Sequence, residues 1–330
     1  MDILADGVIN YDNIRGKVEA TEKEIESFGV NSGDLLFQRS SETLEDVGRA
    51  NVYMDNRTAV YGGFVIRGRK IGSYDPFFVK YLLATPLARK RTCRMGAGAQ
   101  HFNIGQESLA KISLYFPSME EQQKIAEFLS LLDERIATQN KIIDKLQSLI
   151  KGLRVRLVQI EKGNIVHLNE IASIYQPQTI ASTELTEDGF WVYGANGIIG
   201  KYKDYNHKTE QICIACRGNT CGMVNYTKPM SWITGNAMVI NTDEHQDKVC
   251  KRYMFHYLSA YNFNSIISGS GQPQIVRTPL EQLKITLPSI LEQKQKAMFL
   301  DKIQGKIEIS NKILSLHIQQ KQYLLRQMFI

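Results

Sequence analysis

AKISLYFPSMEEQQKIAEFL, residues 110–129, returns later in the chain as EQLKITLPSILEQKQKAMFL, residues 281–300. A glycine-rich run stands ahead of each copy, GAGAQ at 96–100 and GSGQPQ at 269–274. Between Gly98 and Ile112 on one side, and Gly271 and Ile285 on the other, the offset is 173. From Pro117, paired with Pro288, it is 171, as though SLYFP had shortened to TLP. A fixed internal repeat of this kind takes precedence over any local motif. It predicts two similar domains, each followed by a similar long helix, and two copies of one working surface.

Outward from the repeat, the two halves share a texture of short β-type runs broken by Gly, Asn and Asp. GDLLFQR (33–39), GRANVYM (48–54) and TAVYGGFVIRG (58–68) read as strands in the first half. EQICIACRG (210–218), GMVNYTK (222–228) and ITGNAMVIN (233–241) do so in the second. Gly62-Gly63 is expected opposite Gly235-Asn236, again at an offset of 173. A helical stretch follows in each half, DPFFVKYLLATPLARKR (75–91) and KRYMFHYLSAYNFNSII (251–267).

Both segments after the prolines carry heptads. In the first, Leu129, Ile136, Ile143, Ile150 and Leu157 share one seam position, and Ile125, Leu132, Gln139, Leu146 and Leu153 the other. In the second, Leu300, Ile307, Leu314, Lys321 and Met328 alternate with Ile303, Ser310, His317 and Leu324. The polar break Gln139 falls opposite Ser310, a device that lowers stability and sets register. The expected fold is α+β (α/β): two similar twisted-sheet domains separated by two long helices that form an antiparallel coiled coil and act as a spacer. The boundaries are 1–116, 117–163 (central helix), 164–287 and 288–330 (C-terminal helix).

A chain of 330 residues is long enough for two cores, and its apolar share of 43% is that of a globular protein. It has no apolar run long enough for a membrane span, and MDILADGVINYDN lacks the basic and apolar regions of a signal peptide. Five unevenly spread cysteines argue against a disulfide framework and for a reducing compartment, most simply the cytoplasm. Of the net charge of +6, residues 288–330 supply +4, so charge alone does not make either globular part a nucleic-acid binder.

No catalytic constellation emerges. Gly194–Lys201 has the wrong glycine spacing for a phosphate loop and is followed by Tyr202 instead of Ser or Thr. There is no Asn-Pro-Pro-aromatic segment, methyl-donor loop, HExxH or nucleophile elbow. Cys213-x-x-Cys216 with Cys221 has a zinc-like spacing, but on a strand that spacing sends the first two thiols to opposite faces, so packing is the simpler role and no metal is expected. What remains is polar and repeated: the two glycine-rich loops, whose glycines permit close backbone approach and whose glutamines can bond bases or phosphates.

YDNIRGKVEA (11–20), GDLLFQRSS (33–41), YGANGIIGKY (193–202), GSGQPQ (269–274) and the doubled Pro-Ser-x-x-Glu-Gln (117–122 and 288–293) together resemble the specificity subunit of type I restriction–modification systems, over essentially the whole chain. The resemblance implies two target recognition domains that each read half of a bipartite double-stranded DNA target, and two helices that space them. It implies adenine-N6 methyltransferase (modification) subunits and a restriction–translocation subunit as partners, no membrane, no cofactor, and no catalytic activity in this chain. The second domain opens with HLNEIASIYQPQT (167–179), for which the first has no counterpart: Met1-Asp2-Ile3-Leu4 enters the pattern part-way. An N-terminally incomplete first domain with an open sheet edge, in a truncated or recombined form with impaired DNA reading, is therefore expected.

Loop position and side-chain type select candidate DNA contacts. They are Arg39, Arg49, Arg67, Arg69 and Gln100 in the first domain, and Tyr193, Asn196, Lys203, Arg217, Asn225, Gln272 and Gln274 in the second. Two other classes stand beside this reading. A non-catalytic coiled-coil interaction protein would show no salt-dependent DNA binding. A methyltransferase fused to its own recognition domain would bind S-adenosylmethionine.

Overall fold

The computed structural model describes residues 2–4, 7–159, 162–269 and 271–329. Met1 and Ser270, quoted above, lie outside the described residues. The chain divides into two compact units, Met1–Ile142 with Asn311–Ile330, and Ile143–Ser310.

In unit 1 helix α1 (Glu22–Phe28) starts on a Thr21/Glu24 capping box. A three-stranded antiparallel sheet follows, with β1 (Leu35–Gln38) between β2 (Ala50–Val52) and β3 (Val65–Gly68). Helices α2 (Pro76–Ala84) and α3 (Pro86–Cys93) each begin with Pro at the first position, where no backbone donor is needed. Asp75 and Thr85 cap them, accepting the N–H groups of Phe78 (2.8 Å) and Ala88 (3.2 Å). The short helix α4 (Gln106–Ala110) precedes α5 (Met119–Val158).

Unit 2 opens with β4 (Asn164–His167) and β5 (Ser173–Tyr175). A second sheet is formed by β6 (Phe190–Gly194), β7 (Gly197–Tyr202) and β10 (Trp232–Ile233). The main sheet is antiparallel, ordered β9 (Val224–Tyr226), β8 (Ile212–Ala215), β11 (Ala237–Asn241), β5. Helix α6 (Lys251–Leu258), the two-residue strands β12 (Ile267–Ser268) and β13 (Gln274–Ile275), and helix α7 (Arg277–Glu281) come next. Strand β14 (Lys284–Leu287) pairs with β4 and leads into α8 (Ile290–Gln327).

The doubled Pro-Ser-x-x-Glu-Gln is a helix-starting device. Ser118 and Glu121 form a capping box at the head of α5, and Ser289 and Glu292 the same box at the head of α8. The glutamine has a separate task. Gln122 accepts the Asp75 N–H at 3.1 Å and donates to the Pro117 carbonyl at 2.9 Å, tying α5 to the head of α2. Gln293 accepts from Cys250 and donates to Pro288, tying α8 to the head of α6. Both side chains are buried.

The long helices are mutually antiparallel within each unit. In unit 1 Lys321 of α8 pairs with Asp133 of α5 at 2.5 Å. In unit 2 Arg154 of α5 donates to Gln304 of α8 at 3.4 Å. Of the heptad residues, Leu129, Leu132, Ile143, Ile150, Leu157, Leu300, Ile303, Ile307 and Ser310 are buried, and Ile136, Leu146, Leu153, Leu314 and Leu324 half-buried.

The structure re-registers the repeat. Ala97 exchanges backbone hydrogen bonds with Asn103 as Ser268 pairs with Gln274, Gly98 stands where Gly269 does, and α4 where α7 does. The offset is therefore 171 from Ala97 onward, and SLYFP contains no insertion: Leu114 corresponds to Ile285 and Phe116 to Leu287. Gly63, not Gly62, matches Gly235, because the Phe64 carbonyl accepts the Arg39 N–H (2.9 Å) as the Asn236 carbonyl accepts that of Cys216 (3.3 Å).

Candidate nucleic-acid interface

In each unit the central strand of the main sheet runs out beside the glycine-rich loop. The Ile104 N–H donates to the Arg39 carbonyl in unit 1, and the Ile275 N–H to the Cys216 carbonyl in unit 2, both at 3.0 Å. The loop therefore folds back on the strand end. Its hinge needs glycine: Gly98 and Gly269 have φ of +145° and +92°. A Cβ there would come within 1.9 Å of the His101 carbonyl oxygen and 2.4 Å of that of Gln272.

This geometry brings several predicted residues together. Arg217 and Gln274 are bridged residues, and the exposed Gln272 lies in the same loop. In unit 1 the exposed Arg39 follows β1, and the Gln38 N–H bonds to the Arg49 carbonyl at 2.8 Å, so Arg39 and Arg49 share one end of the sheet with the loop that carries Gln100. The Arg49 guanidinium is paired with Asp46 at 2.8 Å in an exposed ion pair. Ser40 and Asn103, overlooked in the sequence, occupy the positions of Arg217 and Gln274 and are hydrogen-bonded at 2.5 Å.

Other predicted residues lie elsewhere. Arg69 follows Gly68, which pairs with Leu35, and so is at the opposite end of the sheet from Arg39. Arg67 is half-buried on β3, donates to the Gly29 carbonyl, and lies 5.2 Å from the Tyr61 ring centroid. Tyr193 packs with Cys213, Ile233 and Val239; burial raises its phenol pKa, and its hydroxyl accepts the Lys228 N–H at 3.1 Å. Asn225 donates to the Ala195 carbonyl at 3.0 Å and so holds the β6–β7 hairpin, whose tip exposes Asn196. Lys203 is exposed beyond that hairpin, near Tyr202. Arg67, Tyr193 and Asn225 thus have structural partners that are distant along the chain and invisible to local pattern. Cys213 belongs to the Tyr193 cluster and Cys216 to the main core, on opposite faces of the sheet.

The family model for the type I restriction modification DNA specificity domain matches twice, at residues 5–148 and 161–316. The chain belongs to that family. Its members are the specificity subunits, non-catalytic components of type I restriction–modification complexes, and the chain is accordingly not an enzyme. It is 32% identical to the type I restriction enzyme EcoprrI specificity subunit of Escherichia coli over 146 residues, 43% of this chain and 36% of that protein. It is 25% identical to the type I restriction enzyme MjaVIII specificity subunit of Methanocaldococcus jannaschii, covering 91% of this chain and 79% of that one. In fold it is similar to the type I restriction–modification S subunit of M. genitalium, with a TM-score of 0.65 at 16% identity over 92% of this chain and 85% of that one. Sequence-specific DNA recognition is the role this family membership supports. Among the described residues no helix is long and apolar enough to cross a membrane.

Proposed function

We propose that this specificity subunit reads a bipartite double-stranded DNA target, one half through each unit. The observation that carries the reading is the repetition itself. The same end of the main sheet bears a glycine-hinged loop in both units, with Arg39, Arg49 and Gln100 around one and Arg217, Gln272 and Gln274 around the other. Arginine and glutamine are the side chains that read guanine and adenine edges in the major groove. Asn196, Lys203 and Arg69 are exposed away from the loops and suit phosphate contacts, while Arg67, Tyr193 and Asn225 support the surface. A two-fold repeat reads two half-sites at a set separation.

The chain would act with adenine-N6 methyltransferase subunits and a restriction–translocation subunit. The domain limits 1–116 and 164–287, with spacer helices over 117–163 and 288–330, belong to the same proposal. Co-expression with the methyltransferase subunit, followed by genome-wide mapping of methyladenine, tests it. A bipartite motif supports two working units. A complex that forms but methylates nothing would sink the DNA-reading claim for this chain. Failure to co-purify would favour the interaction-protein reading.

A further inference from the structure

Gln-Pro-Gln occurs twice in this chain, at 176–178 and 272–274, and unit 2 brings both copies to one place. The second copy lies beside Arg217: Gln274 bridges that residue, and the Pro273 carbonyl accepts the Gly218 N–H at 2.9 Å. The first copy follows β5, the strand that pairs with β11. The Gln176 side-chain amide donates to the Cys216 Sγ and to the Gly235 carbonyl, each at 3.1 Å. Both copies therefore touch the stretch 216–218 at the end of β8.

The first copy is fixed as a strap. Gln176 holds one end, and at the other the Trp232 Nε1–H donates to the Gln178 carbonyl at 3.2 Å. Between these anchors the backbone crosses Gly235 at close range. A Cβ there would stand 2.8 Å from the Pro177 carbonyl oxygen and 2.6 Å from the Thr179 Oγ1. Pro177 has its φ set by its own ring. The Gln178 side chain is exposed, and among the described residues it has no hydrogen-bond partner. A pinned backbone that displays a free carboxamide loses little entropy on binding. Its one acceptor and its amide donors match the N6 donor and N7 acceptor on the major-groove edge of adenine.

We infer that Gln178 is a specificity-determining residue that reads an adenine edge in the half-site of unit 2, with Gln176 as its positioning residue. Its base pair would lie next to those met by Arg217 and Gln274. The inference rests on the DNA-reading proposal for unit 2.

The test uses the full chain co-expressed with the methyltransferase subunit, with methyladenine mapped genome-wide for the parent and each variant. Gln178→Ala should keep the melting temperature of the chain, because the side chain is exposed. It should relax one A·T position of the motif by about tenfold or more. Gln178→Glu offers acceptors only and should shift that position toward cytosine, whose N4 is a donor. Gln176→Ala should relax the same position without creating a new preference. The position must fall in the half-site weakened by Arg217→Ala with Gln274→Ala. An unchanged motif in Gln178→Ala, while that double variant relaxes its half-site, overturns this inference and leaves DNA reading by unit 2 standing. A change confined to the other half-site overturns it too, as does a lowered melting temperature in Gln178→Ala, which would make the residue structural. If neither Gln178→Ala nor the double variant alters the motif, this inference and the reading by unit 2 fall together.

Discussion

Gln293 takes the Cys250 N–H on its side-chain oxygen at 2.9 Å, at the point where α8 and α6 begin side by side. Its amide donates to the Pro288 and Lys248 carbonyls at 2.9 and 3.0 Å. The side chain is 0% exposed, so three backbone groups rely on it rather than on water. Gln293→Leu keeps the volume and removes all three bonds. We expect a loss of about 1–3 kcal/mol in denaturant unfolding, the cost of leaving buried polar groups unpaired. Gln293→Glu, which turns a buried carboxylate oxygen toward the Pro288 and Lys248 carbonyls, should cost at least as much as Gln293→Leu.

Ile143 and Ile150 lie one heptad apart on α5 and are 6% and 5% exposed. Alanine at either leaves a void in a buried seam, at a cost of about 2–5 kcal/mol each. The exposed Ile142, turned out of the seam, is the control and should change stability by about 0.5 kcal/mol or less on substitution by alanine. Thermal melts of the three variants check the assignment, and equal effects at Ile142 and Ile143 would refute it.

His256 is fully buried between three charged groups. Its Nε2–H donates to Asp301 of α8 at 2.8 Å, and its Nδ1 accepts from Arg154 of α5 at 3.1 Å. Arg252 of α6 also bonds Asp301. Burial pushes the imidazole below its ordinary 6.5, with the two guanidiniums adding and Asp301 opposing. The unfolded chain therefore takes up its proton at a higher pH than the folded one. The stability contribution is full above about 6.5, is lost as pH falls below that value, and levels off once the folded group protonates. The melting temperature should drop between about pH 7.5 and 5.5, and the drop should be smaller in His256→Gln. His207, also lowered by burial, leaves a residual slope.

Arg217 and Gln274 are bridged neighbours with exposed side chains, so replacing both by alanine disturbs no core. If unit 2 reads DNA through them, the double variant should keep its melting temperature. In the co-expressed complex it should lose about 1–3 kcal/mol of discrimination at one half-site, seen as relaxed or weakened methylation there. An unchanged methylation pattern would remove these two residues from the interface.

The repeat, the two long helices and their seams were all legible in the sequence. Heptad spacing and the Ser-x-x-Glu box are relations between residues three or four apart, and a helix satisfies them within itself. The strands were legible as runs but not as a register. GAGAQ and GSGQPQ can be matched through either of two glycines, and only the bridges Ala97–Asn103 and Ser268–Gln274 select the offset of 171. Tyr193 read as a loop aromatic because its stretch is rich in glycine, yet residues 20 and more positions downstream bury it.

The sequence by itself determined that this protein is built twice from one pattern, with a capped heptad helix after each copy, because those features are written in short-range spacing. Tertiary structure alone decided the rest. It showed that Gln122 and Gln293 tie each long helix to the head of a shorter one, and that Arg39 and Arg69 lie at opposite ends of one sheet. Each of those depends on hydrogen-bond partners or buried faces separated by tens of residues along the chain, which no local periodicity encodes.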